Sequence, residues 1–312
     1  MISNPFVSVI IPNYNHARYL DKRLQSVLNQ TYQNFEVIIL DDKSTDNSLE
    51  VIDKYRNDSH VREVVVNETN SGSTFKQWNK GIHLAKGELV WIAESDDYCK
   101  PTMLEKLVSM FGKYANLSLA FCEMAFVDED DNINGQSGFS TGGIEMMPGK
   151  TFIKKYEMQG NNIRNASAVL FSRARTLSVD QSFVNFKAAG DYFFWCQMMA
   201  DGNVAFVDEV LNYCRVDGKN VTSKAMTSGL SFKEDYQVHG YFRKMGYIGS
   251  LYEELNIRHH YLDWIRYSEF DTETIKRDIV NLWSTFGFIR PGAFRYWYRM
   301  VKKIHAVLTS VK

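Results

Sequence analysis

Four short runs of β-branched and apolar residues, each followed by a stretch with helical spacing, constrain this chain more than any other feature. They read VSVII at Val7–Ile11, FEVIIL at Phe35–Leu40, VREVVV at Val61–Val66 and ELVWIA at Glu88–Ala93. Continuous apolar runs of this length mark strands covered on both faces. The intervening stretches repeat apolar residues at helical intervals: Leu20, Leu24, Val27 and Leu28, then Leu49 and Ile52. Phe75, Trp78, Ile82 and Ala85 follow, and then Leu104, Leu107, Val108 and Phe111. The punctuation agrees with this order. DDKSTDNS supplies capping Asp and Ser residues, Gly87 stops the third helix, and Pro101 suits the first turn of the fourth. Repeated β–α units predict an α/β fold built on a parallel, doubly wound sheet.

Beyond about Leu117 the pattern is less regular. Leu119–Cys122, Ala168–Phe171 and Val204–Val207 read as strands, and a helix begins near Asp191. The polar, glycine-rich stretch Asp128–Gly149 predicts an exposed loop. After Thr222 the texture turns to helical periodicity with many aromatics, which places a boundary there.

The 312 residues fit one large domain, or one with a smaller appendage. A formal net charge of -1 supplies no global basic field, so nucleic acid is not an expected partner. Cys99, Cys122, Cys196 and Cys214 are scattered without a CxxC pair. They predict neither a zinc site nor a disulfide framework, and suit a reducing compartment. No apolar run approaches the about 18 residues of a membrane span. The N-terminus carries no targeting pattern, and a cytoplasmic location is expected.

In an open parallel sheet, ligands bind beyond the carboxyl ends of the strands. Three polar clusters fall there: PNYN after the first strand, Asp41–Asp42 after the second, and ESDD, ending in Asp96–Asp97, after the fourth. Neither GxGxxG nor GxxxxGK[ST] occurs, which argues against dinucleotide enzymes and P-loop NTPases. Carboxylates beside a phosphate-bearing ligand make sense with a hard cation, Mg²⁺ or Mn²⁺, between them. Adjacent aspartates also form ordinary turns, and that reading stays open for Asp96–Asp97 taken alone.

The ordered set SVIIPNYN, DDxSTD, NxG and a strand ending in xxDD resembles the family-two inverting glycosyltransferases. The resemblance is strong over roughly the first 110 residues and weaker to Thr222. It implies the GT-A fold, a Rossmann-like, mostly parallel sheet flanked by helices. Residues 1–222 would form the catalytic domain, with a donor half at about 1–115 and an acceptor half at about 116–222. Residues 223–312 would form a helical C-terminal extension. The implied donor is a nucleotide sugar, typically a UDP-sugar, and the implied acceptor is a saccharide or lipid-linked hydroxyl of a bacterial cell-surface polysaccharide pathway.

Residue by residue, the resemblance puts the donor base against Tyr14, with Pro12 and Asn15 beside it, and hydrogen-bonds it to Asp42. It gives the ribose to Asp96 and the divalent metal (Mn or Mg) to Asp97. Asp191, in AAGDYFFW, would be the base that takes the acceptor proton, so that one displacement inverts the anomeric centre. Gly190 departs from the pattern, because a glutamate is common there. Asp217, in YCRVDGKNVT, stands where a histidine is frequent, and Arg215 lies beside it as a phosphate-binding candidate. Lys76 and Lys80, in and after NSGSTFKQWN, are weaker candidates for the diphosphate. Each residue also has an ordinary structural reading: packing for Tyr14, helix capping for Asp42 and Asp191.

Two other functions fit the same sheet. A sugar nucleotidyltransferase carries a glycine-rich, basic loop where this chain has PNYNHARYL. A non-catalytic nucleotide-sugar-binding protein has no need for Asp42, Asp96, Asp97 and Asp191 together. The stretch 286–312 contains Arg290, Arg295, Arg299, Lys302, Lys303 and Lys312 and no acidic residue. With Phe294, Trp297, Tyr298, Val301, Ile304 and Leu308 it forms an amphipathic pattern suited either to an anionic membrane surface or to docking on the protein.

Overall fold

A computed structural model describes residues 4–216, 221–287, 297–300 and 302. The opening elements are β1 (Val7–Asn13), α1 (Ala17–Leu28), β2 (Phe35–Asp41), α2 (Ser48–Tyr55), β3 (Val61–Val66), α3 (Thr74–Leu84) and β4 (Leu89–Ile92). Next come the short β5 (Tyr98–Cys99), α4 (Met103–Lys113), β6 (Leu117–Val127), β7 (Ile133–Gln136), β8 (Met146–Pro148) and α5 (Gly149–Tyr156). β9 (Val169–Ser172), α6 (Gly190–Met199) and β10 (Asn203–Arg215) complete the sheet-bearing part. The helices α7 (Val221–Thr227), α8 (Leu230–Lys244), α9 (Leu251–Tyr267) and α10 (Glu273–Ser284) follow.

The sheet runs β3-β2-β1-β4-β9-β6-β10-β5, with β7 paired to β6 and β8 to β10. β3, β2, β1 and β4 are mutually parallel, as are β6 and β10. β9 lies antiparallel between β4 and β6, so the mostly parallel sheet that the sequence predicts is interrupted at its centre. The backbone N–H of Glu94, just past β4, donates to Ser167 Oγ at 3.0 Å, so the chain enters β9 from the rim where β4 ends. The stretch Asp128–Gly149, expected to be a loop, contains β7 and β8.

Every residue of β1 and β2 is buried, as strands covered on both faces require, whereas edge strand β3 is half-exposed. α3 lies so close to β1 that a Cβ on Gly81 would meet Ile10 Cγ2 at 2.4 Å. α6 is buried on all sides from Tyr192 to Met199 and is therefore a core helix.

The chain divides into two compact units. The first comprises residues 1–152, 162–186 and 190–217, and the second 153–161, 187–189 and 218–312. The helical unit thus takes up two earlier segments that a boundary at Thr222 leaves out. The carboxylate of Glu234 in α8 holds one of them, accepting the N–H groups of Lys187, Ala188 and Ala189 at 2.8 Å each. Tyr261 of α9 and Trp283 of α10 stack at 3.7 Å between ring centres. Of the basic, aromatic C-terminal stretch, Arg290, Phe294, Arg295, Val301, Lys303, Ile304, Leu308 and Lys312 lie outside the described residues. No described helix is long and apolar enough to cross a membrane.

Candidate active site

Because β1, β2 and β4 are parallel, their C-terminal ends share one edge, and side chains tie the three loops together there. Asn13 Nδ2 donates to Asp41 Oδ2 at 2.8 Å and to Ser44 Oγ at 3.1 Å. Asn15, in the left-handed conformation at φ 57, accepts on Oδ1 from the Thr45 and Asp46 N–H groups. His16 Nδ1 lies 2.8 Å from Ser95 Oγ, which joins the first loop to ESDD. Asn15 therefore spends its carbonyl inside the rim. Tyr14 is 45% exposed and leaves a ring face available for stacking. Pro12 is buried within β1, opposite Leu40.

Asp42 is only 4% exposed. Its carboxylate accepts from Asn67 Nδ2 at 2.6 Å, Gln77 Nε2 at 2.9 Å, and both the Ser71 N–H and hydroxyl. It therefore organises the segment 67–77 that leads into α3. Lys80 Nζ reaches Asn67 Oδ1 at 2.6 Å and Lys76 Nζ the Ser71 carbonyl at 3.2 Å, so both lysines brace this same segment.

The aspartate pair after β4 divides its work. Asp97 is 2% exposed, and both its oxygens are engaged. Oδ2 accepts from Ser167 Oγ at 2.6 Å and Asn165 Nδ2 at 2.8 Å, and Oδ1 from the Arg215 N–H at 2.9 Å. Asp97 thereby ties the end of β4 to the entry of β9 and the end of β10. Asp96 is half-buried, and among the described residues no side chain donates to its carboxylate. Burial, and then the charge of Asp97, hold it well above the usual carboxylate range. Glu94 accepts from Trp78 Nε1 at 2.7 Å. Burial, followed by the charge of Asp96, pushes Glu94 up to about 8. Arg23, with no exposed surface, donates from Nε to the Glu94 carbonyl at 2.8 Å.

Arg215 is buried beside the ESDD loop. Its guanidinium donates to the Asp96 carbonyl at 2.9 Å, to the Asp128 carbonyl, and to Asp131 Oδ1 at 2.5 Å, and lies 4.1 Å from the centre of the Tyr19 ring. These contacts brace the ESDD loop. Asp217 lies outside the described residues. Asp191 is half-buried in the first turn of α6. The bare Gly190 before it has a direct cause: a Cβ there would sit 2.6 Å from Cδ2 and Cε2 of Phe75.

Against this geometry, the sequence model of Glycosyl transferase family 2 matches residues 8–176, more than half of the chain. The chain belongs to that family. As a family-two glycosyltransferase it is 44% identical over 102 residues to Glycosyltransferase GlyG of Streptococcus pneumoniae, covering 32% of this chain and 33% of GlyG. The match thus spans about a third of that relative's length. Among solved structures, S. aureus TarS 1-349 in complex with UDP-GlcNAc superposes with a TM-score of 0.59 at 22% identity, over 88% of this chain and 70% of that one. The mannosyltransferase PcManGT of Pyrobaculum calidifontis, in complex with GDP-Man and Mn²⁺, gives 0.52 at 14% identity, over 95% and 84%. Both likenesses speak to the fold, which is of the GT-A type.

For a family-two glycosyltransferase the residues missed in the sequence are informative. Glu94 heads the ESDD string, and its burial could not be read there. Arg23 left a signal: it falls on the buried stripe of α1 with Leu20, Leu24 and Val27, where a charge has to find a partner. Asn165 and Ser167 sit in an irregular segment that carries no periodic signal.

Proposed function

We propose that the chain is a metal-dependent, inverting glycosyltransferase that moves a sugar from a UDP-sugar to a hydroxyl of a saccharide or lipid-linked acceptor. The observation that carries this reading is the hydrogen-bonded rim. PNYN, Asp41–Asp42 and ESDD form one surface that offers an exposed aromatic face and a half-buried carboxylate. The relatives named for UDP-GlcNAc and for GDP-Man with Mn²⁺ support a nucleotide-sugar donor and a divalent cation.

Tyr14 stacks on the donor base, and Asp42 fixes the segment 67–77 that borders it. Asp96, rather than Asp97, is the carboxylate we assign to the cation, because the oxygens of Asp97 are taken up by Ser167, Asn165 and Arg215. The residues fit the ion. Carboxylates crowd one loop beside the buried Arg23 and Arg215, and a further positive charge relieves that crowding. Among the described residues no three His, Cys, Asp or Glu side chains form a complete metal cage. That suits Mg²⁺ or Mn²⁺ held by one or two carboxylates, with diphosphate oxygens and water as the other ligands. When bound, the cation offsets the charge that builds on the leaving diphosphate.

Asp191 accepts the proton of the acceptor hydroxyl, whose oxygen attacks the anomeric carbon opposite the diphosphate and inverts its configuration. A cytoplasmic location beside a polysaccharide pathway suits such a donor. The test is the melting temperature with UDP, GDP and other diphosphates, with and without Mn²⁺, since a ligand of the native state raises it by mass action. A shift that needs the metal and disappears in Asp96→Ala supports the reading. The absence of any shift overturns it.

A further inference from the structure

α3 touches both halves of the proposed chemistry through two buried aromatic residues one turn apart. Phe75 is 4% exposed and Trp78 2% exposed, and their rings meet edge to face at 5.3 Å. Toward α6, Phe75 lies against Gly190, where a Cβ would meet its ring at 2.6 Å. That distance is well inside ordinary carbon contact, so the two elements are seated as closely as backbone and ring allow. Toward β4, Trp78 donates from Nε1 to Glu94 Oε1 at 2.7 Å. The same Trp78 ring packs on Phe194 at 6.1 Å and Trp195 at 5.7 Å, on the next turn of α6.

We infer that α3 is the spacer that fixes Asp191 relative to the donor carboxylates, with Phe75 and Trp78 as positioning residues. Phe75 sets the depth of the first turn of α6, where Asp191 sits, by packing on the bare Cα of Gly190. Trp78 holds Glu94 with its N–H while its ring registers against the following turn of α6. A general base works only within hydrogen-bond reach of the proton it takes, so a shift of a few tenths of an ångström in α6 reaches the rate directly. This rests on the reading of Asp191 as the base.

The roles separate in kinetics. With UDP-GlcNAc as donor and water as acceptor, Gly190→Ala is expected to lower kcat at least tenfold, with the Kd for UDP in the presence of Mn²⁺ unchanged within threefold. Gly190→Ala combined with Phe75→Val, which makes room for the new methyl, is expected to recover at least threefold of that loss. Trp78→Phe keeps a ring against α6 and removes the N–H, so KM for the donor is expected to rise at least threefold with kcat nearly kept. An unchanged kcat in Gly190→Ala, a parallel loss of UDP affinity, or no recovery in the double variant overturns the inference. If Gly190→Ala does not fold, Trp78→Phe decides alone, and unchanged KM and kcat overturn it. Full activity in Asp191→Asn instead overturns the assignment of the base, an outcome distinct from any of these.

Discussion

The Arg23 guanidinium lies 3.8 Å from Asp97 Oδ2, with 0% and 2% of the two side chains exposed. Its Nε is held by the Glu94 carbonyl, while among the described residues its two terminal nitrogens make no geometrically sound hydrogen bond. Arg23 is thus a buried charge set beneath the ESDD loop, and it depends on the carboxylates above it. Removing one member of a buried pair costs about 3–5 kcal/mol, because the other is left uncompensated. Asp97→Ala is expected to lose stability on this scale in urea unfolding, and not activity alone. An Asp97→Ala protein as stable as the wild type would contradict the internal role given to this residue.

Asp96 is expected to behave in the opposite way. Asp96→Asn leaves the hydrogen bonds of Asp97 in place, so the melting temperature without ligand should stay close to that of wild type. Transfer should fall at least a hundredfold, and the stabilisation by UDP should no longer respond to Mn²⁺. A large drop in the ligand-free melting temperature would count against this division of labour.

Asp191→Asn retains the shape of the first turn of α6 and removes the carboxylate we propose as the base. General-base catalysis contributes about 10²–10⁴-fold, and a loss in kcat of that size is expected with UDP affinity preserved. The product of the wild-type enzyme should have inverted anomeric configuration, readable from its NMR coupling constant.

Asp42→Asn places an amide donor where Asn67, Ser71 and Gln77 all donate. Facing donors leave buried polar groups unsatisfied, at about 1–3 kcal/mol each. Loss of stability together with weakened UDP binding is expected, by unfolding and by titration calorimetry. Unchanged stability would mean that the segment 67–77 is not held through this carboxylate.

Two groups give opposite pH slopes. Glu94 is pushed up to about 8, above the about 4.3 of an unfolded glutamate. The folded chain then keeps a proton that the unfolded chain has released, so stability falls as pH rises from about 4.5 to 8. Glu94→Gln should flatten that slope in melting curves taken without metal. His239 lies between the Asp235 and Met158 carbonyls, and burial lowers it to about 4. The unfolded chain binds the extra proton between about pH 4 and 6.5, so this contribution is lost as pH falls through that window. Replacing His239 by Gln should remove the acid-side loss.

Much of the first third of the chain is written locally. The run VSVII and the DDKSTD turn each state their conformation within a few residues, because strand burial and turn chemistry are short-range, whereas α3 ends at Leu84, three residues before the stop read at Gly87. The family and the edge on which ligands bind follow from that order. Burial and partnership are not local. That Asp97 faces inward while Asp96 has no side-chain donor among the described residues depends on Ser167, Asn165 and Arg215, which arrive from distant parts of the chain. The antiparallel entry of β9, the turning of Arg215 toward Asp131, and the absence of a side chain at Gly190 have the same origin. Sequence order determined which groups stand at the ends of the strands; tertiary packing decided which of them are spent holding the protein together, since a carboxylate is available for chemistry only where no neighbour has already claimed it.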